Sequence, residues 1–315
     1  MPNDLKPISD PLKEVMARIE AKRLAMSTED RADAVVAAVQ MAVAPAGKLP
    51  QEQGWITFAP VPSDLCRVSP FYPMSKAEIS TRTAVEDLVI SKSSWGEVRY
   101  TGMKLSTFEE DVFLAVLALV EDPSERQEGQ SPMVWSGHVG KILALMGLTD
   151  GTANYARVRR AIKLMRATTF ELEIRGDEIE GCGLLAGYSV SKKTKTVTIA
   201  LDPVFYGLYA KGSVTKLDVE RRAKLPGAVA KCVYRFAMSH KGDRWSGHWA
   251  TLARSINLPM ERPDKKLRHA IRTALAALVK AGVLKAGKLD GDIVVMERVR
   301  RSLTHRTGEL PNSNP

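Results

Sequence analysis

The apolar positions of this chain change period several times along its length. Over 11–26, Leu12, Val15, Met16 and Ile19 recur at helical spacing, and a second helix is expected over 28–43 with Ser27 or Thr28 as its N-cap. Pro45, Gly47 and Pro50 end it. From 45 to 75 prolines accumulate without any sustained period, which predicts an extended linker that docks on a domain. The strand-and-turn segment VRYTGMKLS then precedes a long helix, TFEEDVFLAVLALVED, whose expected apolar stripe is Val112, Phe113, Val116, Leu117 and Val120. A short strand at 133–135, a helix, a turn and another helix follow. Alternating segments from 170 to 202, with turns at Gly176-Asp177 and Lys192–Lys195, predict a β-meander.

The same order then recurs. KLPGAVAKCVYRFAMSHK reads as a helix with Val229, Val233, Phe236 and Ala237 inward, Arg244–Trp245 as the short strand, and AGVLKAGKLDGDIVVMERV as a closing hairpin. Inside each copy lies a unit beginning with the same four letters, WSGHVGKILALMGL at Trp135 and WSGHWATLARSINL at Trp245, about 110 residues apart. Helix, short strand, helix, turn, helix, hairpin is the element order of a winged helix-turn-helix. The expected class is therefore α+β: two tandem winged helix-turn-helix domains (76–202 and 203–300), preceded by a helical arm (1–50) and a proline-rich linker (51–75) and followed by a disordered tail (301–315).

The repeated unit makes physical sense as a helix-turn-helix. The tryptophans end the strand and cover the core. Ser136 and Ser246 stand where an N-cap is wanted. Gly147 and Asn257 occupy the same offset in the turn, where a residue tolerant of positive φ is needed, and Leu148 and Leu258 follow to pack it. In the next helix Val158, Ile162 and Met165 share one face in copy one; Leu267, Ile271, Ala274 and Leu278 do so in copy two. Opposite them copy two carries Arg262, Lys265, His269 and Arg272, with Lys266 and Arg268 alongside. Copy one carries Ala153, Ala156, Arg160 and Lys163, flanked by Arg157 and Arg159. Pro263 and Asp264 suit a helix start.

Charge sharpens this picture. The 315 residues carry a net +10, but residues 1–130 hold 14 Lys/Arg against 20 Asp/Glu, and residues 131–315 hold 32 against 16. Basic charge confined to the duplicated part points to a polyanion. Lys192, Lys193 and Lys195 sit at a hairpin tip, where a wing reaches toward phosphates. His138 and His248 recur near helix starts, a place for a phosphate contact or for a packed polar residue, and with Ser136 and Ser246 they are candidate DNA contacts.

Other function classes find little support. There is no phosphate-binding loop, since Gly47-Lys48, Gly140-Lys141 and Gly287-Lys288 are followed by Leu, Ile and Leu. The five histidines form no H-x-H pair for a metal-dependent nicking nuclease, and HAIR, a His-x-x-Arg match at 269–272, has no tyrosine after it. No metal, cofactor or catalytic residue is expected, and the protein reads as a non-enzyme. Cys66, Cys182 and Cys232 are scattered and read as reduced thiols of a cytoplasmic protein. No window reaches the roughly 18 apolar residues of a membrane span.

The sequence resembles the plasmid replication initiators of the TrfA type, within the wider set of Rep proteins that bind iterons. The resemblance runs from about Ser63 to Val299 and rests on VRYTGMKLS, NYARVRRAIKLMRATTF, GLLAGYSVSKKTKTVTIALD, KLPGAVAKCVYRFAMSH and LAALVKAGVL in that order. The first 50 residues do not match, and no glutamine-led peptide ending in Leu-Phe, of the kind that binds the sliding clamp, occurs. The resemblance implies binding to directly repeated sites in double-stranded plasmid origin DNA, opening of a neighbouring AT-rich segment, and recruitment of the host initiator and replicative helicase. It also implies a monomer–dimer equilibrium that restrains copy number. It makes the second winged helix the stronger base reader, a role that falls here on Lys265, Arg268, His269 and Arg272. A winged-helix transcriptional regulator and a structural or partitioning DNA-binding protein are the alternatives.

Overall fold

The computed structural model describes residues 58–67, 69–93, 96–125, 131, 133–174, 179–206 and 214–299. The expected helical arm, the tail and the Gly176-Asp177 turn lie outside them. In chain order the elements are β1 (Phe58–Pro62), α1 (Ser63–Arg67), β2 (Phe71–Tyr72), α2 (Lys76–Thr81), β3 (Ala84–Ser93), β4 (Gly96–Met103), β5 (Leu105–Ser106) and α3 (Thr107–Glu121). Next come β6 (Val134–His138), α4 (Val139–Leu145), α5 (Thr152–Arg166), β7 (Thr169–Ile174), β8 (Ile179–Cys182), β9 (Leu185–Ser191) and β10 (Thr196–Leu201). The second half holds β11 (Val214–Asp218), α6 (Val219–Ala223), α7 (Gly227–Met238), β12 (Arg244–His248), α8 (Trp249–Ser255), α9 (Asp264–Lys280), β13 (Leu284–Asp290) and β14 (Ile293–Arg298).

Helix α3 organises the core. Ser106 and Glu109 close a capping box at its start, and every residue from Val112 to Val120 is buried, so the helix is apolar all round rather than striped. Its acidic first turn lies at the positive end of the helix and is matched by basic side chains from both halves of the chain. Arg82 reaches Glu109 at 3.1 Å. Arg222 bonds Glu110 at 2.6 Å and Asp111 at 2.7 Å, Arg235 bonds Glu110 at 2.6 Å, and Lys231 bonds Asp111 at 2.5 Å. This buried ionic cluster ties α3 to α6 and α7 of the second half.

Two expectations need correction. Residues 58–62 are not linker: β1 pairs antiparallel with β11, Phe58 opposite Asp218 and Pro62 opposite Val214, with Ala59 and Val61 buried. Alternation is present there, but only two apolar positions carry it and prolines stand between them; a two-stranded ladder has a free edge that tolerates them. The strands from 169 to 201 are not one meander. Strands β7 and β8 complete a four-stranded antiparallel sheet in the order β3-β4-β7-β8, whereas β9 and β10 join β6 in the order β6-β10-β9. Alternation identifies strands without naming their partners, and the long β3–β4 ribbon supplies a second sheet for β7 to extend. A third sheet has the order β12-β14-β13. Helix, short strand, helix, helix and hairpin thus occur twice, as α3–β6–α4–α5–β9–β10 and as α7–β12–α8–α9–β13–β14.

Candidate nucleic-acid interface

The four letters WSGH each have a structural task, and it is the same task in both units. Residues two apart in a strand share a face, so the Trp135 ring folds over Gly137 and the Trp245 ring over Gly247. A Cβ at Gly137 would stand 2.5 Å from the first ring, and one at Gly247 2.7 Å from the second. The serines point the other way. Ser136 Oγ bonds Thr198 Oγ1 at 2.8 Å across the β6–β10 ladder, and Ser246 pairs with Val295.

The histidines, not the serines, cap the helices. His138 Nδ1 accepts from Gly140 N at 3.1 Å, and His248 Nδ1 accepts from Ala250 N at 3.1 Å. The N-cap expectation for Ser136 and Ser246 fails because both strands run on to the histidine instead of ending at the tryptophan. The first backbone N–H of each helix is held by its hairpin: Val139 N donates to Lys195 O at 3.0 Å, and Trp249 N donates to Asp292 O at 2.8 Å. Each hairpin tip is thereby fastened to the start of α4 or α8.

The turns match expectation, with Gly147 at φ 65° and Asn257 at φ 57°. Asn257 does more than tolerate that conformation: its amide donates to Ser69 O at 2.5 Å and Phe71 O at 3.2 Å, tying the second turn to the first half of the chain. Helices α5 and α9 bury their expected faces, Val158, Ile162 and Met165 in one and Leu267, Ile271, Ala274 and Leu278 in the other.

Their other faces sort the candidate contacts into two groups. Among the described residues, the side chains of Arg159, Arg160, Lys163, Lys192 and Lys193 in the first unit make no hydrogen bond or ion pair, nor do those of Lys265, Lys266, His269 and Arg272 in the second. All but the half-buried Arg159 are exposed. The rest are engaged. Arg157 lies over the Phe108 ring and bonds Asn154, and Lys195 lies over the Tyr155 ring at 4.9 Å. The Lys195 contact sets the tip bearing Lys192 and Lys193 beside the first turn of α5. Arg262 bonds Glu78 at 2.5 Å. Arg268 bonds Asp292 at 2.5 Å and the Gly291 carbonyl at 3.1 Å, and its guanidinium lies 4.8 Å from the Trp249 ring.

Sequence reasoning missed Asp292, Trp249 and Tyr155, which meet these side chains at the hairpin tips. It also missed the acidic character of the second tip, although LDGD, with Asp290 and Asp292, was visible beside KKTK in the first. Among the described residues no group of His, Cys, Asp and Glu is arranged to hold a metal ion, and no helix is long and apolar enough to cross a membrane.

Such a paired arrangement invites comparison with known proteins. Residues 96–238 match the family model described as Initiator Replication protein, WH1. The match begins at β4, takes in the whole first unit and ends with α7, the first helix of the second. No curated protein matches the chain. Among solved structures, domains 2 and 3 of RctB are similar with a TM-score of 0.54 at 11% identity, covering 75% of this chain and 98% of that one. The Pi initiator protein in complex with iteron DNA has a TM-score of 0.47 at 13% identity, covering 62% and 90%. At such identity the RctB likeness speaks for the fold alone, a mixed α/β architecture into which the winged-helix match fits.

Proposed function

We propose that this protein starts plasmid replication by binding directly repeated origin sites through two tandem winged helices, one in each unit. The observation that carries the reading is the doubled unit itself. Two recognition helices, α5 and α9, each hold a row of unpaired cationic side chains, and the first unit falls within the match to the initiator family model. A winged helix bound to a duplex positions itself by phosphate contacts and reads base edges from the helix in the major groove. In this reading Arg159, Arg160, Lys163, Lys192 and Lys193 take phosphates. Lys265, His269 and Arg272 face base edges, with Lys266 beside them.

The mechanism is binding and strain without covalent chemistry. The two helices occupy successive major grooves on one side of the duplex, and bending or untwisting stabilised there eases opening of neighbouring AT-rich DNA. The host initiator and replicative helicase then load on the opened strand, and pairing of protomers restrains copy number. The test is whether the gene together with its flanking DNA lets an otherwise non-replicating circle persist in a host, and whether persistence is lost when direct repeats in that DNA are scrambled. Persistence that survives scrambling would defeat the reading.

A further inference from the structure

We propose that Arg268 is a positioning residue that locks the acidic second wing onto recognition helix α9, leaving base reading in that unit to Lys265, His269 and Arg272. The proposal rests on the reading of α9 as a DNA-reading helix. Its motive is the completeness of the Arg268 contacts. One guanidinium nitrogen bonds Asp292 at 2.5 Å, another bonds the Gly291 carbonyl at 3.1 Å, and the flat face covers the Trp249 ring. A guanidinium reads guanine by presenting two donors side by side to its acceptors; here two donors are spent on the wing and one face on the helix-turn-helix. Its side chain is 26% exposed.

The lock has three sides. The Asp292 carboxylate holds Arg268 of α9, while the Asp292 carbonyl holds the first N–H of α8. Trp249, which supplies that N–H, also supplies the ring under Arg268. His248, the cap of α8, brings Nε2 to 3.9 Å from the same carboxylate. Wing, first helix and recognition helix therefore meet at Asp292. In the first unit the same junction is built without charge pairing: Lys195 holds the first N–H of α4 through its carbonyl, and its ammonium lies over Tyr155 of α5.

The wings diverge in charge as a result. The first tip carries Lys192, Lys193 and Lys195. The second neutralises its charges internally, Lys285 with Glu297 at 3.2 Å, Lys288 with Asp290 at 3.6 Å, and Asp292 with Arg268. A tip whose charges are matched in this way holds no spare cation for a phosphate. The first wing is thus the one that grips the backbone, and the second is a brace for its reader.

The experiment uses the full chain and a duplex that the wild-type protein itself selects from a random-sequence pool. Simple electrostatics expects Asp292→Asn, which removes a negative charge near DNA, to tighten binding. The lock expects it to weaken binding by about fivefold, the scale of a partly exposed ion pair that organises its surroundings. Arg268→Ala should weaken binding to the same degree, the double variant should do no worse than either, and neither single variant should change the selected sequence. The salt dependence should also hold in Arg268→Ala, whereas loss of a direct phosphate contact would flatten it by about one unit. Arg272→Ala is the contrast, with a changed base preference expected. The proposal is overturned if Arg268→Ala alters the selected bases or the salt slope, or if Asp292→Asn leaves affinity unchanged or raises it. If the wild-type chain selects no sequence at all, the reading of α9 falls and takes this inference with it.

Discussion

The Trp135 ring lies so close over Gly137 that a single methyl group there would stand 2.5 Å from it, and the ring is itself buried, with its neighbours in the way of a shift. Gly137→Ala should therefore cost about 1–3 kcal/mol, the range of overpacked cores. Gly247→Ala should behave likewise. Gly181→Ala, where the nearest foreign atom is a Thr169 methyl at 4.0 Å, should stay within roughly 0.5 kcal/mol. Urea denaturation of the three variants checks the ranking.

The ionic cluster gives a second expectation. Glu110 is shared between Arg222 and Arg235, and all three side chains are essentially excluded from water. Removing one member of a buried pair strands the other, so Glu110→Gln should destabilise the protein by roughly 3–5 kcal/mol. Lys285→Ala, which breaks an exposed pair with Glu297, should lose no more than about 1 kcal/mol. Equal losses in the two variants would mean that burial does not set the scale here.

Where the chain can be shortened follows from β1. A fragment beginning at residue 58 keeps β1 whole and serves as the reference. Removing residues 1–75 takes away Ala59, Val61, Cys66 and Phe71 from the core, the Cys66 carbonyl that Arg235 bonds, and both acceptors of the Asn257 amide. Two of these side chains are large enough to contribute about 1.5–3 kcal/mol each, so the shorter fragment should melt well below the longer one. Coincident melting curves would show that β1 and α1 are ornament.

His240 makes stability depend on pH. Burial, then the charges of Arg67 and Arg298, hold its imidazole below the ordinary 6.5, against the opposing pull of its hydrogen bond to the Phe236 carbonyl. The unfolded chain therefore binds the proton first as pH falls. Stability is fully present above pH 6.5 and declines from there toward the lower folded value. In His240→Gln the slope of melting temperature against pH in that window should shrink.

How much of this was legible depends on distance along the chain. The turn residues Gly147 and Asn257, the buried faces of α5 and α9 and the tip at 192–195 are local matters of period and backbone conformation, and the letters show them. The histidine caps were hidden because serine is the commoner cap and both stand in the same four letters. The Glu110 cluster joins residues 111–125 apart in sequence, and no local pattern pairs them. Arg235 is visible as a charge within the apolar run CVYRFA, but nothing local names its partner. The separate sheet of β7 and β8 was hidden for the same reason, since its first strand, β3, pairs only through a ladder with β4.

Strand β1 has a mechanical consequence. Its Phe58 lies opposite Asp218, and Asp218 is also the N-cap of α6, the element just before the helix that opens the second unit. Tension applied on the N-terminal side of Phe58 is therefore delivered to the joint between the two units and not to the outer end of the first. Under the proposed reading, in which α5 and α9 both meet DNA, a load carried through that ladder bears on the segment that joins the two readers.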